Sequence, residues 1–498
     1  MECAKIEICD VSNTLKNLKI INGSNVMNIN FLYLIGAYEV DNFIYLGAIT
    51  EVKCISEIWN INKIEKIKVV QISKEGNDDV KELIEDSLKL CPLYFSTTND
   101  LSLSLQLQMK KKESRKSFIW NEKPIEKLKQ LYDEQVMNST INVIAGFVVS
   151  FKYDNFTLSI ISRRSKRRAG ARYWCRGADK NGYVANFVET EQLVSTENKM
   201  YSYVQIRGSI PLSWTQTPTL KILPTIEVGD DKDCNDVIEK HFNLLRKEYG
   251  KIVAISLSDI RGREAKLTNK YNELGPNIEG ISYHYFNFSK ECSKLRYNNV
   301  NILLNEIKDD FDSIGYCYVE DSIMKQEQSG VLRINCIDCL DRTGVIQKVS
   351  AEIIFKKQLQ LKSIPIECQL LLNNAWTDNA DAISLQYGGT RALKGDYTRT
   401  GKRTIIGAVQ DGIKSSLRCY INHCEDGHRQ DEYTAVTQLT TCTNYQKPKF
   451  NLILLFIILF KLIVFLFYTI IQSNESKNKI KLQIEQILIK KPCFNNNI

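Results

Sequence analysis

Histidine is nearly missing from this chain: there are four in 498 residues, and none stands in a stretch with catalytic spacing. An imidazole acid or base is therefore hard to place. A second C-x-x-C is missing too. Cys336 and Cys339 make one such pair, and on their own they read as a redox couple or as half of a zinc site. A zinc site needs another pair, and thioredoxin-like couples do not require an arginine close behind. The fifteen cysteines are odd in number and fit no regular framework, and the N-terminus MECAKIEICD lacks the basic-then-apolar pattern of a secretory signal. A reducing, cytosolic setting is the expectation. The net charge of +8 is too modest to argue for nucleic acid, though it suits an anionic membrane surface or substrate. What is there is ordinary for a folded protein, 43% hydrophobic and 25% charged, with length for two or three domains.

The chemistry concentrates in Val331 to Gln347, VLRINCIDCLDRTGVIQ. Val331, Leu332 and Ile334 read as a short strand ending at Asn335. From Thr343 the apolar residues Val345, Ile346, Val349, Ile353 and Ile354 recur at helical spacing. Between them lies a loop in which Cys336 and Arg342 are separated by five residues, with Thr343 next. A loop bent at a helix N-terminus points its N–H groups inward and forms an anion nest at the positive end of the helix dipole. A phosphate can sit there without a metal. The same field favours the Cys336 thiolate, and Arg342 can clamp two phosphoryl oxygens.

Longer blocks surround that loop. They are Arg168 to Gln192 (RAGARYWCRGADKNGYVANFVETEQ), Arg207 to Gln216 (RGSIPLSWTQ), Gly262 to Lys266 (GREAK) and Trp376 to Arg403. With Arg333 to Thr343, RINCIDCLDRT, they resemble the Sac-domain phosphoinositide phosphatases, in the right order and over about residues 30 to 435. The resemblance implies a mixed α/β fold: a strand-rich N-terminal Sac subdomain at 1–117 packed on an α/β cysteine-phosphatase domain at 118–440. It further implies hydrolysis of phosphatidylinositol 4-phosphate or 3-phosphate through a cysteinyl-phosphate, with no cofactor and no metal.

Under that resemblance Cys336 is the nucleophile, and Asp341 and Asp338 are the candidate acids. Asp341 is preferred because the related myotubularin-type loop carries an aspartate immediately before its arginine; Asp338 is the alternative, or a brace for the loop. Arg342 and Thr343 complete the catalytic set. Arg333, Asn335, Ile337, Cys339 and Leu340 frame the phosphate position. Arg172, Arg176, Arg207, Arg399, Lys402 and Arg403 are cations available to a polyanionic headgroup, although each reads equally well as a structural or solvated charge. Asn186, Glu189 and Gln192 can orient the loop, bind inositol hydroxyls or serve as structural hydrogen-bonders. Two departures from the family pattern stand out. Phe286-Asn287-Phe288-Ser289 lacks a histidine common in relatives, and Gly344 and Arg391 stand where relatives have asparagine and a small residue. These keep open a catalytically weak phosphoinositide-binding scaffold, and a protein tyrosine phosphatase is the enzymatic alternative.

Elsewhere, Phe31 to Val52 reads as a hairpin turning at Val40-Asp41-Asn42, and Ile141 to Ser150, Thr157 to Ser162 and Val253 to Leu257 read as strands. The run Met109 to Ser117 looks like a solvated boundary. Arg163, Arg164, Lys166, Arg167, Arg168, Arg172 and Arg176 form a basic cluster, a candidate for headgroup contact. Cys419, His423, Cys424 and His428 have metal-ligand chemistry, but two i,i+4 pairs on a helix would diverge by about 140°.

The C-terminus differs in kind. After a linker at 441–451, Leu452 to Ile471 is long and apolar enough to cross a bilayer. Lys461 opposes this by about 3 kcal/mol. The tail 472–498 is too short and interrupted for a second span, and Ile480 to Ile489 suits an interfacial helix. A single-pass C-terminal anchor with catalysis in the cytosol, on endoplasmic reticulum or Golgi membranes, is expected. The lysines after the span argue against that orientation, and the missing signal outweighs them.

Overall fold

The computed structural model describes residues 3–12, 14–22, 25–216 and 224–440. The expected linker, span and tail lie outside the described residues, and among the described ones no helix is long and apolar enough to cross a membrane.

One thirteen-stranded mixed sheet organises the chain. Its strands, numbered in chain order, begin with β1 (Tyr33–Val40) and β2 (Phe43–Ser56). Asp41 and Asn42 both take positive φ between them, +50° and +69°. That is the backbone a two-residue hairpin needs, and Asp and Asn tolerate it better than most side chains. Next come β3 (Ile61–Gln71), β4 (Leu93–Ser96), β5 (Ile144–Tyr153), β6 (Phe156–Arg164), β7 (Val188–Ser195) and β8 (Lys199–Arg207), each antiparallel to the one before. Because β4 pairs with β5, the sheet runs unbroken through the N-terminal region into the rest of the chain. A separate three-stranded sheet, Lys5–Asp10, Lys16–Asn22 and Asn25–Phe31, precedes it.

The far end of the sheet is parallel. β10 (Ile281–Tyr285) pairs with β9 (Lys251–Ser256), and β13 (Gly330–Asn335) is wedged between β9 and β8, all of these pairings being parallel. A short hairpin, β11 (Cys317–Glu320) and β12 (Ile323–Gln326), hangs from β8. β13 is buried along its whole length. Leu332 and Ile334 face a core holding Val253, Ile255, Phe311 and Ile346, while Val331 faces another holding Ile238, Phe242, Ile252 and Tyr271. A strand covered on both faces reads as a continuous apolar run, and each such aliphatic contributes about 1.5–3 kcal/mol of burial.

Five longer helices pack around the sheet: α1 (Asp231–Tyr249), α2 (Asp341–Gln358), α3 (Ile366–Gly388), α4 (Ile405–Cys424) and α5 (Asp426–Gln438). α1 packs on β9, and α2 packs on β8, β13 and α3. Tyr433, Ala435 and Val436 of α5 join the apolar cluster of the N-terminal strands, which ties the two ends of the described chain together. The carboxyl ends of parallel strands open onto a crevice where α/β proteins place ligands. The loop after β13 lies there.

Candidate active site

β13 ends at Asn335 and α2 begins at Asp341, so the five residues Cys336 to Leu340 make the whole turn. Cys339 takes φ +51°, which bends the chain back on itself. The first helical bond of α2 runs from Gly344 N to Leu340 O at 2.9 Å. Cys336 is buried at the mouth of that helix, and the Thr343 hydroxyl points at its Sγ from 3.6 Å. A hydrogen bond from the Cys339 thiol, the charge of Arg342 and the Thr343 hydroxyl together overcome burial and the Asp338 charge, and bring the Cys336 thiol down to about 6. It is mainly thiolate at neutral pH. Cys339 goes the other way: burial pushes its thiol far up, and its Sγ lies 2.8 Å from Gly208 O and 3.1 Å from Cys336 O.

The two loop carboxylates occupy different settings. Asp338 is clamped by Arg172, through Nε at 2.9 Å and Nη2 at 2.6 Å, and by Arg176 Nη2 at 2.7 Å. Burial opposes its ionisation, but the two guanidiniums outweigh that and hold the carboxyl far below the usual carboxylate range. Held as a carboxylate in this way, it is poorly suited to donate a proton at neutral pH. Guanidiniums brace it, in place of the backbone N–H groups that a loop brace would ordinarily use. Arg176 also binds Ile337 O at 3.2 Å and Gln216 Oε1 at 2.7 Å, and Asn186 binds Asp338 O at 3.3 Å. Asp341, the first residue of α2, is 31% exposed; its Oδ1 accepts from Leu393 N at 2.9 Å, and Arg418 stands 3.8 Å from Oδ2.

Arg342 is held from the side. Its Nη1 donates to Leu257 O at 3.0 Å and to Glu264 Oε2 at 3.2 Å, its Nη2 donates to Glu264 Oε1 at 2.9 Å, and Asp259 stands 3.4 Å away. Glu264 closes the one-turn helix Gly262–Glu264 within the GREAK block. Nothing in the spacing of the chain links it to Arg342, 78 positions later. The family block is the one sequence signal that points to it.

The remaining candidate contacts sort by depth. Arg333 and Asn335 are fully buried strand residues that bond to each other, with Arg333 also reaching Ser209 O, so they brace the loop from beneath. Arg207 is buried as well and binds Gln347 Oε1 and Cys339 O. The side chains of Ile337 and Leu340 point into apolar clusters, which leaves only their backbone available to an anion. Arg399 pairs with Asp378 and Asp381, and Arg403 with Asp396 and Asp411; Lys402 is exposed, and none of the three makes a hydrogen bond or ion pair with residues 336–343.

The basic cluster divides in the same way. Arg163 is buried against Glu189 and Glu191, Arg164 against Tyr433 and Gly170 O, and Lys166 pairs with Glu122. Only Arg172 and Arg176 of this cluster bond to the loop. The expected solvated run 109–117 also needs correction: Arg115 is sandwiched over Phe118 and Tyr249 and paired with Glu189 and Glu248. Glu189 is thereby used in the sheet, while Gln192 binds Ala351 O and Trp376 Nε1. Phe286 and Phe288 are core residues and Asn287 caps a short helix. Among the described residues no group of three or more His, Cys, Asp or Glu side chains is placed to hold a metal, and His423 Nδ1 lies 2.7 Å from Cys419 O.

Known proteins share this chain's sequence well beyond the loop. A family model described as the SacI homology domain matches residues 32–293. The chain is 36% identical over 404 residues to a protein of Drosophila melanogaster named phosphatidylinositol-3-phosphatase SAC1, a stretch that covers 75% of this chain and 68% of the relative. It is 37% identical over 391 residues to phosphatidylinositol-3-phosphatase SAC1-A of Danio rerio, covering 73% and 66%, and 37% identical over 394 residues to phosphoinositide phosphatase SAC8 of Arabidopsis thaliana, covering 74% and 66%.

Proposed function

The chain belongs to the Sac-domain family of phosphoinositide phosphatases, and from that premise we propose that it removes the phosphate of phosphatidylinositol monophosphates, the 4-phosphate and also the 3-phosphate. The observation that carries this reading is Cys336 buried at the mouth of α2, with the Thr343 hydroxyl 3.6 Å from its Sγ and Arg342 in the first turn of that helix. The catalytic part spans 118–440 and works with the N-terminal subdomain at 1–117. Residues 452–471 anchor it, after a linker at 441–451, in endoplasmic reticulum or Golgi membranes with catalysis on the cytosolic side.

Two in-line displacements account for the chemistry. The Cys336 thiolate attacks phosphorus, the bond to the inositol oxygen breaks, and Asp341 delivers a proton to that oxygen as it leaves. The loop amides and Arg342 hold the equatorial oxygens as charge spreads over them. Water then attacks the cysteinyl-phosphate with Asp341 taking its proton, the S–P bond breaks, and the Thr343 hydroxyl supports the departing thiolate. No metal enters any step. A catalytically weak scaffold is the second reading, kept open by Gly344 and Arg391.

The full chain in detergent, assayed for phosphate release from a phosphoinositide panel with EDTA present and Cys336→Ser alongside, decides between them. Release lost in the mutant supports the enzyme and ranks its substrates. Headgroup binding without release supports the scaffold.

A further inference from the structure

α4 presents two unlike faces. Gly407, Asp411, Arg418 and Asn422 are buried, and Arg418 reaches Ser384, Thr390 Oγ1 and Arg391 O behind the catalytic loop. Away from that face, Ile406, Ile413 and Leu417 stand 48%, 46% and 46% exposed. They are spaced i, i+7, i+11, which lines them up along one side of the helix. Thr404 caps the helix through Gly407 N, so Ile406 sits in the first turn of a well-formed helix.

The surroundings of this stripe are cationic. Residues 391–418 carry seven basic side chains and two acidic ones. The carboxylates nearby are already engaged: Asp378 and Asp381 by Arg399, Asp396 and Asp411 by Arg403. Among the described residues Arg391, Lys394 and Lys402 make no ion pair, so their charge is left for a partner. An exposed apolar stripe on a helix whose neighbouring segment carries unpaired cations matches the interfacial region of an anionic bilayer, with hydrocarbon below and phosphate headgroups above. The same segment touches the loop, because Leu393 N donates to Asp341.

We infer that the Ile406–Ile413–Leu417 face of α4, with Arg391, Lys394 and Lys402, docks on an anionic lipid surface and sets the catalytic loop against it. The inference rests on the phosphatase reading above for its purpose. The chain beyond α5 is consistent with it: the eleven residues 441–451 reach at most about 40 Å before the apolar run begins, too short to let the domain leave the surface of a membrane holding that run. Other occupants, a second copy of the chain or its own C-terminal tail, would not call for the unpaired cations.

The test uses the full chain reconstituted in phosphatidylcholine vesicles with and without phosphatidylserine. A diazirine amino acid is placed at Ile413 or, as control, at exposed Ser415 on the opposite side of the helix. Light should give lipid adducts at 413 well above those at 415, rising with phosphatidylserine. Protein adducts at 413, or equal lipid labelling at both positions, would overturn the proposal. In parallel, Ile406→Asp with Ile413→Asp should lower hydrolysis of vesicle-borne substrate about tenfold while leaving a soluble short-chain phosphoinositide unaffected. Equal rates on vesicles for mutant and wild type would also sink it. A wild type that hydrolyses neither substrate form would remove the phosphatase reading, and the adduct pattern would still decide the docking.

Discussion

Glu264 holds Arg342 with both carboxylate oxygens, at 2.9 and 3.2 Å, across 78 positions of sequence. The pair fixes the guanidinium at the edge of the Cys336–Leu340 loop. Partners of this kind typically matter by about 10–100-fold in activity when removed. Glu264→Ala should therefore lower kcat/KM by roughly tenfold or more, with the unfolding midpoint in urea little changed. Unaltered kinetics would mean that substrate alone orients Arg342.

On the reading of Cys336 as nucleophile, its thiol, brought down to about 6, should set the acid limb of activity. Below that pH the nucleophile is protonated, so kcat/KM should fall as pH drops through about 6, and the rate of alkylation by iodoacetamide, read on the Cys336 peptide, should track the same curve. The largest cause of the depression is the Cys339 hydrogen bond. Cys339→Ala should move the alkylation midpoint up toward the ordinary thiol value of about 8.5. A midpoint that stays put would assign the depression to the helix and Arg342 instead.

Much of this architecture is legible in the chain itself. The alternating runs before and after 150, the Asp41-Asn42 turn and the strand, loop and helix from Val331 onward fall where local pattern puts them, because period and turn chemistry are local properties. The arginines are another matter. Arg163 and Arg172 belong to one basic run, yet the sheet buries the first against Glu189 and Glu191 while the loop after β6 carries the second to Asp338, 166 residues away. Side-chain partners set by sheet register and loop path leave no periodicity in the sequence. No spacing marks the Arg342–Glu264 pair for the same reason, and the GREAK block alone draws attention to Glu264.

Asp338 depends on Arg172 and Arg176 to be an anion in a buried place. Removing Arg176, the more buried of the two, strands a carboxylate inside the protein, a change that costs about 3–5 kcal/mol. Arg176→Met should show it as a loss of stability in urea. The pH dependence has a definite sign: the folded-state pKa of Asp338 lies below its unfolded value, so its contribution is complete above the usual carboxylate range and is lost as pH falls beneath it. Asp338→Asn should then flatten the acid side of the stability curve. An unchanged slope would show that the clamp contributes little to folding.

Gly344 lies in the first turn of α2 in free space: a Cβ there meets only the Ala380 Cβ, at 3.6 Å. Its φ does not require glycine. Gly344→Ala should stabilise the fold by about 0.5–1 kcal/mol through the helix and the unfolded chain. Gly344→Asn should be accommodated, and the comparison of its kcat with wild type measures what the missing side chain does near Cys336. Destabilisation by alanine would reveal a close neighbour that the static packing does not contain.

The assignment of Asp341 as the acid rests on contrast with Asp338, which two guanidiniums keep ionised, whereas Asp341 is partly exposed, accepts from a backbone N–H and stands 3.8 Å from Arg418. An inositol alkoxide is a poor leaving group and needs a proton as the P–O bond breaks. General acid catalysis of such a step is worth about 10²–10⁴ in rate. Asp341→Asn should lose that much kcat on a phosphoinositide. An aryl phosphate releases a stable phenolate that needs no proton, so cysteinyl-phosphate formation from it should persist in the mutant and appear as a burst of phenol, with slow turnover afterwards because the second step lacks its base. Loss of the burst along with the lipid activity would place Asp341 in loop structure; retention of both would return the proton to another donor.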